Sequence, residues 1–176
     1  NSPLTRLVQI SNTAPTEDVV LAVFDLKSQD ANSILWGLKF SVDTGLKTLS
    51  TVFSKIKIKI GNDVYTANSL PTYPSYFGYE VLYEAIYVPL LAGKVVPVTI
   101  LGTVKANTNG QLDNATSSVR LVVSSDKVKV VTSTQGAVPG AGSGVLMSNV
   151  ATFSSTGVVA SGLSAVLGDP YTAPNG

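Results

Sequence analysis

The sequence predicts an all-β fold, an antiparallel β-sandwich with one short helical segment near 46–53, and three observations carry that reading. Ile56, Ile58 and Ile60 alternate with Lys55, Lys57 and Lys59, the period-two pattern of a strand with one buried face. Gly61-Asn62-Asp63 follows at once and Val64-Tyr65-Thr66 resumes strand chemistry, so this stretch is a β-hairpin. Strand-like runs then recur about ten times along the chain, at the turn spacings of a sandwich.

Composition narrows the class of object. A chain of 176 residues fits one domain, or one domain with an extension, and is long enough to bury a sizeable core. Charged residues make up only 13%, against about 25% in an average globular protein, so Ser, Thr and Asn must cover much of the surface. Such a surface suits secreted β-proteins and points to an extracellular or cell-surface location. The net charge of +1 gives no electrostatic footprint for nucleic acid. Cysteine and histidine are both absent. Their absence removes disulfides, thiolate catalysis and the commonest transition-metal ligands and general base. No apolar run approaches the ~20 residues of a membrane helix. No signal peptide is read, and Asn1 fits the start of a processed or excised segment.

Taken in order, Leu4 to Ser11 is a short strand ended by Asn12-Thr13-Ala14-Pro15. Val19 to Lys27 opens as a nearly continuous apolar run, suited to a central or doubly buried strand. After the turn at 28–32, Ile34, Trp36, Leu38, Phe40 and Val42 alternate onto one face, with the sole Trp as an inward anchor. Leu46, Leu49, Val52 and Phe53 then fall at spacings of three and four, which predicts one or two helical turns before the hairpin. Beyond Pro71 to Ser75, Glu80 to Val88 reads as a strand. It carries Leu82, Ile86 and Val88 on one face, and Tyr79, Val81, Tyr83, Ala85 and Tyr87 on the other.

Val95 to Lys105 is a further strand in which Pro97 suggests an edge or a bulge. Two short strands follow, at 119–123 and 127–131. The chain divides accordingly into a sandwich core over 1–135 and a Gly/Pro/Ser-rich flexible loop over 136–144. Residues 145–176 are additional strands and an exit linker, packed on or completing the same sandwich or a neighbour.

These elements, V-L-A-V-F-D-L-K, then L-W-G-L-K-F-S-V, a helical turn, the I-K-I-K-I-G-N-D hairpin and I-Y-V-P-L-L-A-G-K-V-V-P-V-T-I-L-G-T-V-K-A, follow a familiar layout. It resembles the immunoglobulin-like (Ig-like) sandwich modules repeated in long secreted surface proteins of bacteria, including those of poorly cultured candidate phyla. The likeness covers roughly 19–131. It implies a surface-layer, adhesin or filament component and transfers no catalytic residue; 151–176 resembles the strand and linker that lead into a following module.

Candidate sites are few. Tyr73, Tyr76, Tyr79, Tyr83 and Tyr87 cluster with Phe77. The patch Tyr76, Tyr79, Tyr83 and Tyr87 would offer flat amphipathic rings to a surface polysaccharide or a neighbouring subunit, and core packing is the plainer alternative. Lys55, Lys57 and Lys59, with Lys127 and Lys129, read as solvating lysines that discourage edge aggregation. The loop of Asn107, Asn109, Gly110 and Asp113 lacks the leading aspartate and closing glutamate of a calcium loop, so no metal or other cofactor is expected. Asn114-Ala115-Thr116 matches the glycosylation sequon. Glu80 and Glu84 are a carboxylate pair with aromatic neighbours but no cleft to hold a sugar, and the chain is not read as an enzyme.

The expected function is structural. The chain would be a subunit or module of a surface layer, filament or adhesin, a homo-oligomer or polymer or one of several adjacent modules, joined by strand addition or sandwich packing. Leu4, Leu7, Val8 and Ile10, and Val158, Val159, Leu163, Val166 and Leu167, are the candidate interface strands. The alternatives are a carbohydrate-binding module using the tyrosines and a viral or phage structural protein.

Overall fold

The computed structural model describes residues 5–28, 31–67, 69–75, 78–112, 118–124, 128–132, 135–139, 145–147 and 150–154. These residues form two sheets packed as a sandwich, almost entirely antiparallel. The smaller sheet takes β2 (Thr16–Lys27), β7 (Val95–Val104), β4 (Phe53–Ile60) and β5 (Asp63–Thr66), in that order. The larger is centred on β3 (Ser33–Asp43), with β6 (Tyr79–Leu90) along one side. Along its other side β8 (Ser118–Ser124) and β9 (Val128–Thr132) lie end to end, over 41–43 and 34–38 of β3.

The chain then doubles back beside β9 and β8 as β10 (Gln135–Pro139), β11 (Val145–Met147) and β12 (Val150–Ser154). At the far edge β1 (Thr5–Gln9) runs parallel to β12, Thr5 opposite Val150 and Gln9 opposite Ser154. The flexible stretch expected from residue 136 is therefore corrected in its first part, because Gln135–Pro139 pairs with β9. Residues 140–144 lie outside the described set.

The hairpin forms as its sequence dictates. Ile56, Ile58 and Ile60 are buried while Lys55 and Lys59 are exposed. A two-residue turn at Gly61-Asn62 separates the last pair, Ile60 and Asp63. Gly61 has φ +60°, the left-handed value that such tight turns require of their first residue. The helical segment contracts to a single turn, α1 (Leu49–Val52), whose Leu49 and Val52 are buried against the core. Pro97 sits just beyond the last β4–β7 pair, Ile60 with Val98, where β7 is paired only by β2. Its missing N–H therefore leaves no ladder bond to β4 unmade.

Two tyrosines tie the sheets together. Tyr83 of β6 donates its hydroxyl to the Ile56 carbonyl of β4 at 2.8 Å, and its ring stacks on Phe40 with centroids 6.0 Å apart. Tyr65 of β5 donates to the Ile86 carbonyl of β6 at 3.1 Å. At one end of the sandwich, buried Asn107 donates its backbone N–H to the Ser11 carbonyl at 2.8 Å and accepts from Leu112 N–H at 2.7 Å. That residue pins the β1–β2 connection to the loop after β7. Among the described residues no helix is long and apolar enough to cross a membrane.

Two measurements follow from this packing. A Cβ on Gly102 would lie 2.6 Å from the buried Phe53 ring, so Gly102→Ala should cost about 1–3 kcal/mol through overpacking. Chemical denaturation checks it; wild-type stability would mean that Phe53 can shift aside without loss.

Burial pushes the Tyr83 hydroxyl well above the ordinary tyrosine range. In the unfolded chain it ionises near pH 10, so its contribution is fully present below that pH and is lost as pH rises further. Tyr83→Phe should cost about 0.5–1.5 kcal/mol at neutral pH and flatten the alkaline fall in stability. The cost is modest because the Ile56 carbonyl keeps a bond from Ala67 N–H at 3.0 Å. An unchanged alkaline slope would remove Tyr83 as its source.

Candidate functional site

The most unusual local geometry lies where β3 and β6 run side by side. Leu35 pairs with Val88, and the next pair is Gly37 with Glu84. Between these pairs β3 has Trp36 alone and β6 has Ala85, Ile86 and Tyr87. The ladder of β3 with β9 shifts at the same place, from Leu35–Val130 to Gly37–Lys129. Ala85 and Tyr87 hold left-handed backbone, φ +55° and +59°, which costs a non-glycine residue roughly 1–2 kcal/mol each.

The bulges change which side chains face the core. In β6, Tyr79, Val81 and Tyr83 are buried before the irregularity, and Ile86, Val88 and Leu90 after it. In β3, Leu38, Phe40 and Val42 are buried on one side of it and Leu35 on the other. Two expectations are thereby corrected. Trp36 is not an inward anchor: it is half-buried, and the Lys129 ammonium stands 5.3 Å from its ring centroid. Nor do the tyrosines share an open face: Tyr79 and Tyr83 are buried in the core, whereas Tyr87 is 64% exposed. Tyr76 lies outside the described residues.

The result is a small aromatic site on the outer face of the larger sheet. Trp36 and Tyr87 occupy the same level of adjacent strands, with exposed Ile34 and Leu82 to either side. Glu84 and Lys129 flank Gly37 from opposite neighbours, β6 and β9. With no side chain on Gly37 between them, the Lys129 ammonium reaches Glu84 Oε1 at 3.5 Å. Lys39 and Glu80 make a second pair on this face at 2.9 Å. Glu80 and Glu84 lie four residues apart on one strand, about 13 Å along it, and each binds its own lysine. The structure therefore does not bring them together as a carboxylate dyad. Trp36 and Gly37 carried the one available sequence signal, since a glycine inside a strand marks a bulge or a close backbone approach.

The remaining sequence-selected residues fall elsewhere. Leu7 is exposed, Val8 is half-buried against the core and Ile10 is buried. β1 is thus already paired within its own chain. Leu4, Val158, Val159, Leu163, Val166 and Leu167, with Asn114 and Lys127, lie outside the described residues. On the smaller sheet, Lys57 binds Asp18 Oδ1 at 2.8 Å and lies 3.6 Å from Glu17 Oε2. The hydrogen bond to Asp18 raises its pKa first of all, so it is held as an ammonium. Thr103 donates to the same Glu17 oxygen at 2.6 Å. Among the described residues no cluster of acidic side chains is arranged to hold a metal ion.

Fold and site together define an all-β sandwich that carries an aromatic surface on its larger sheet. Comparison with protein-family models, with curated proteins and with solved structures found no match to this chain.

The backbone cost at the site is itself testable. Ala85 is exposed, so Ala85→Gly removes little packing while relieving the left-handed conformation. After the entropy that glycine gives the unfolded chain, a net gain of up to about 1 kcal/mol is expected in thermal or denaturant unfolding. A loss of stability would show that Ala85 is not strained there.

Proposed function

We propose that this chain is a structural module of an extracellular assembly and that it joins its neighbours by strand addition at the open edge of β2. The observation that carries the proposal is residues 22–27. They pair in continuous register with 95–100 of β7 on one side, and no described strand pairs their other side. Phe24 and Leu26 pack against the core yet stay partly exposed, and Val23 is 62% exposed. A strand added beyond β2 would bury the first two and pair with the backbone groups that no described strand takes.

The other described edges offer less. β5 has four residues, β6 is bulged and carries Pro89, β1 and β10 have five each, and β11 has three. Low charge, Ser/Thr-rich strands and the likeness to Ig-like surface modules support an extracellular setting. β1 is spent within its own chain, so of the two candidate donors we favour 158–167, whose Val158, Val159, Leu163, Val166 and Leu167 give it strand chemistry. Removing residues 1–11 would also delete buried Ile10 and the Ser11–Asn107 tie, which makes that deletion a test of stability more than of assembly.

Light scattering with negative-stain imaging tests the reading on the full chain. Polymers are expected from the wild type. Val23→Lys, which places a charge on the edge without touching the core, should lower the mass toward the 18.3 kDa of one chain. The double change Leu163→Pro and Val166→Pro should do the same by removing donor N–H groups. A wild type that runs as a monomer at all concentrations, or polymers indifferent to both variants, would overturn strand addition.

A further inference from the structure

We infer that the outer face around Trp36 and Tyr87, with Glu84 and Lys129, is a binding site for a neutral polysaccharide. The inference is separate from assembly at β2, because it uses the other sheet and the opposite kind of contact.

The first argument is the backbone. β3 and β6 both break register at one level, and the side chains this turns away from the core are the two largest aromatics of that level, Trp36 and Tyr87. Left-handed residues in the middle of a strand persist where the surroundings over-determine them, and such outliers gather at binding sites. Uninterrupted alternation would have carried both rings toward the core. A ring that is half-buried or exposed, on a backbone that costs energy to hold it there, is a platform presented outward.

The second argument is the chemistry around the rings. Glu84 and Lys129 meet over Gly37, where the missing side chain leaves the sheet floor low. Their charges cancel, as do those of Lys39 and Glu80 beside them. Among the described residues the face therefore has no net charge with which to attract an anionic polymer. It does have a carboxylate that accepts and an ammonium that donates hydrogen bonds, next to flat apolar rings. A neutral hexopyranose matches that set: its C–H face stacks on an aromatic ring and its equatorial hydroxyls reach polar groups at the rim.

A protein partner fits less well. The exposed apolar side chains Ile34, Leu82 and Tyr87 are interrupted by the two ion pairs, whereas the centre of a stable protein interface is depleted of charge. Lys129 is not an obstacle to stacking. Its 3.5 Å ion pair is partly exposed, and such contacts contribute little, so its ammonium can leave the Trp36 ring and donate to a sugar hydroxyl.

The chain has one Trp, so its emission reports this site without labelling. The full-length protein is mixed with powdered cellulose and with chitin, and titrated with the matching soluble hexasaccharides while Trp36 fluorescence is followed. Alginate serves as an anionic control. Retention on at least one neutral polymer and a saturable change in emission are expected. Tyr87→Ala should weaken binding about three- to tenfold, Tyr87→Phe should keep most of it, and Glu84→Gln should weaken it by a smaller factor.

Circular dichroism and the mass of the particle are read in parallel. If Tyr87→Ala does not fold, Glu84→Gln carries the test, and binding at wild-type strength in that variant would overturn the inference. So would the absence of both retention and emission change with every neutral polymer. Binding to alginate alone that vanishes in about 0.5 M salt would mark a charge effect and overturn it too. Tyr87→Ala that abolishes assembly without affecting sugar would make this face a subunit interface and likewise defeat the assignment. None of these outcomes depends on whether Val23→Lys stops polymerisation, so the two proposals fail separately.

Discussion

A strand can bury only every second side chain, and the two-sheet core imposes that parity on everything packed around it. β4 meets it from Ile56 onward, with Ile56, Ile58 and Ile60 inward, after a register shift that sets them off from buried Phe53. β3 and β6 meet it only by breaking it once, at the same level. Had β6 kept the parity of Tyr83, the core would have received Ala85, Tyr87 and Pro89 where it now holds Ile86, Val88 and Leu90. The bulge trades local backbone strain for better-fitting aliphatic side chains inside. Its by-product is an aromatic pair outside, so the exposed rings follow from satisfying the core.

The same logic explains why Tyr83 is the hinge of the packing. It is the last residue of β6 in the original parity to reach across the sandwich, and its hydroxyl ends on a carbonyl of the facing sheet. Burying a tyrosine there requires a partner for its O–H, and the backbone of β4 supplies one beside Ala67. Tyr65 makes the reciprocal link to Ile86, within the bulge itself. Position and chemistry agree: the sheets are stitched by hydrogen bonds on either side of the parity change.

The sequence made the regular parts legible and hid the irregular ones. The hairpin, the helical turn, β2 and β7 could be read because period-two alternation and turn residues act locally. The burial of Trp36, Tyr79, Tyr83 and Tyr87 could not be read correctly, because a bulge shifts parity without changing composition. Gly37 was the available sign and was overshadowed by the clean alternation of Ile34, Trp36, Leu38, Phe40 and Val42. The parallel pairing of β1 with β12 spans nearly the whole described chain. Nothing in a short window of either strand announces it. Likewise the Gly-rich composition over 136–144 spoke for a loop, while its first four residues were recruited by an available partner, β9.

The two faces of the sandwich end up with different characters for a physical reason. On the smaller sheet the polar groups are closed among themselves: Lys57 bridges Asp18 and Glu17, and Glu17 also takes the Thr103 hydroxyl. Asp18 reaches Lys57 from a left-handed backbone, φ +51°, at a register shift of β2, so strain there is spent on an internal ion pair. On the larger sheet two left-handed residues, Ala85 and Tyr87, accompany rings turned outward, and the contact found there among the described residues is one loosely held lysine over Trp36. An irregularity that closes a contact stabilises the module. The one in the larger sheet is offset by the aliphatic side chains it brings into the core and leaves its rings facing solvent, and this asymmetry makes the Trp36–Tyr87 face the surface on which recognition should be sought.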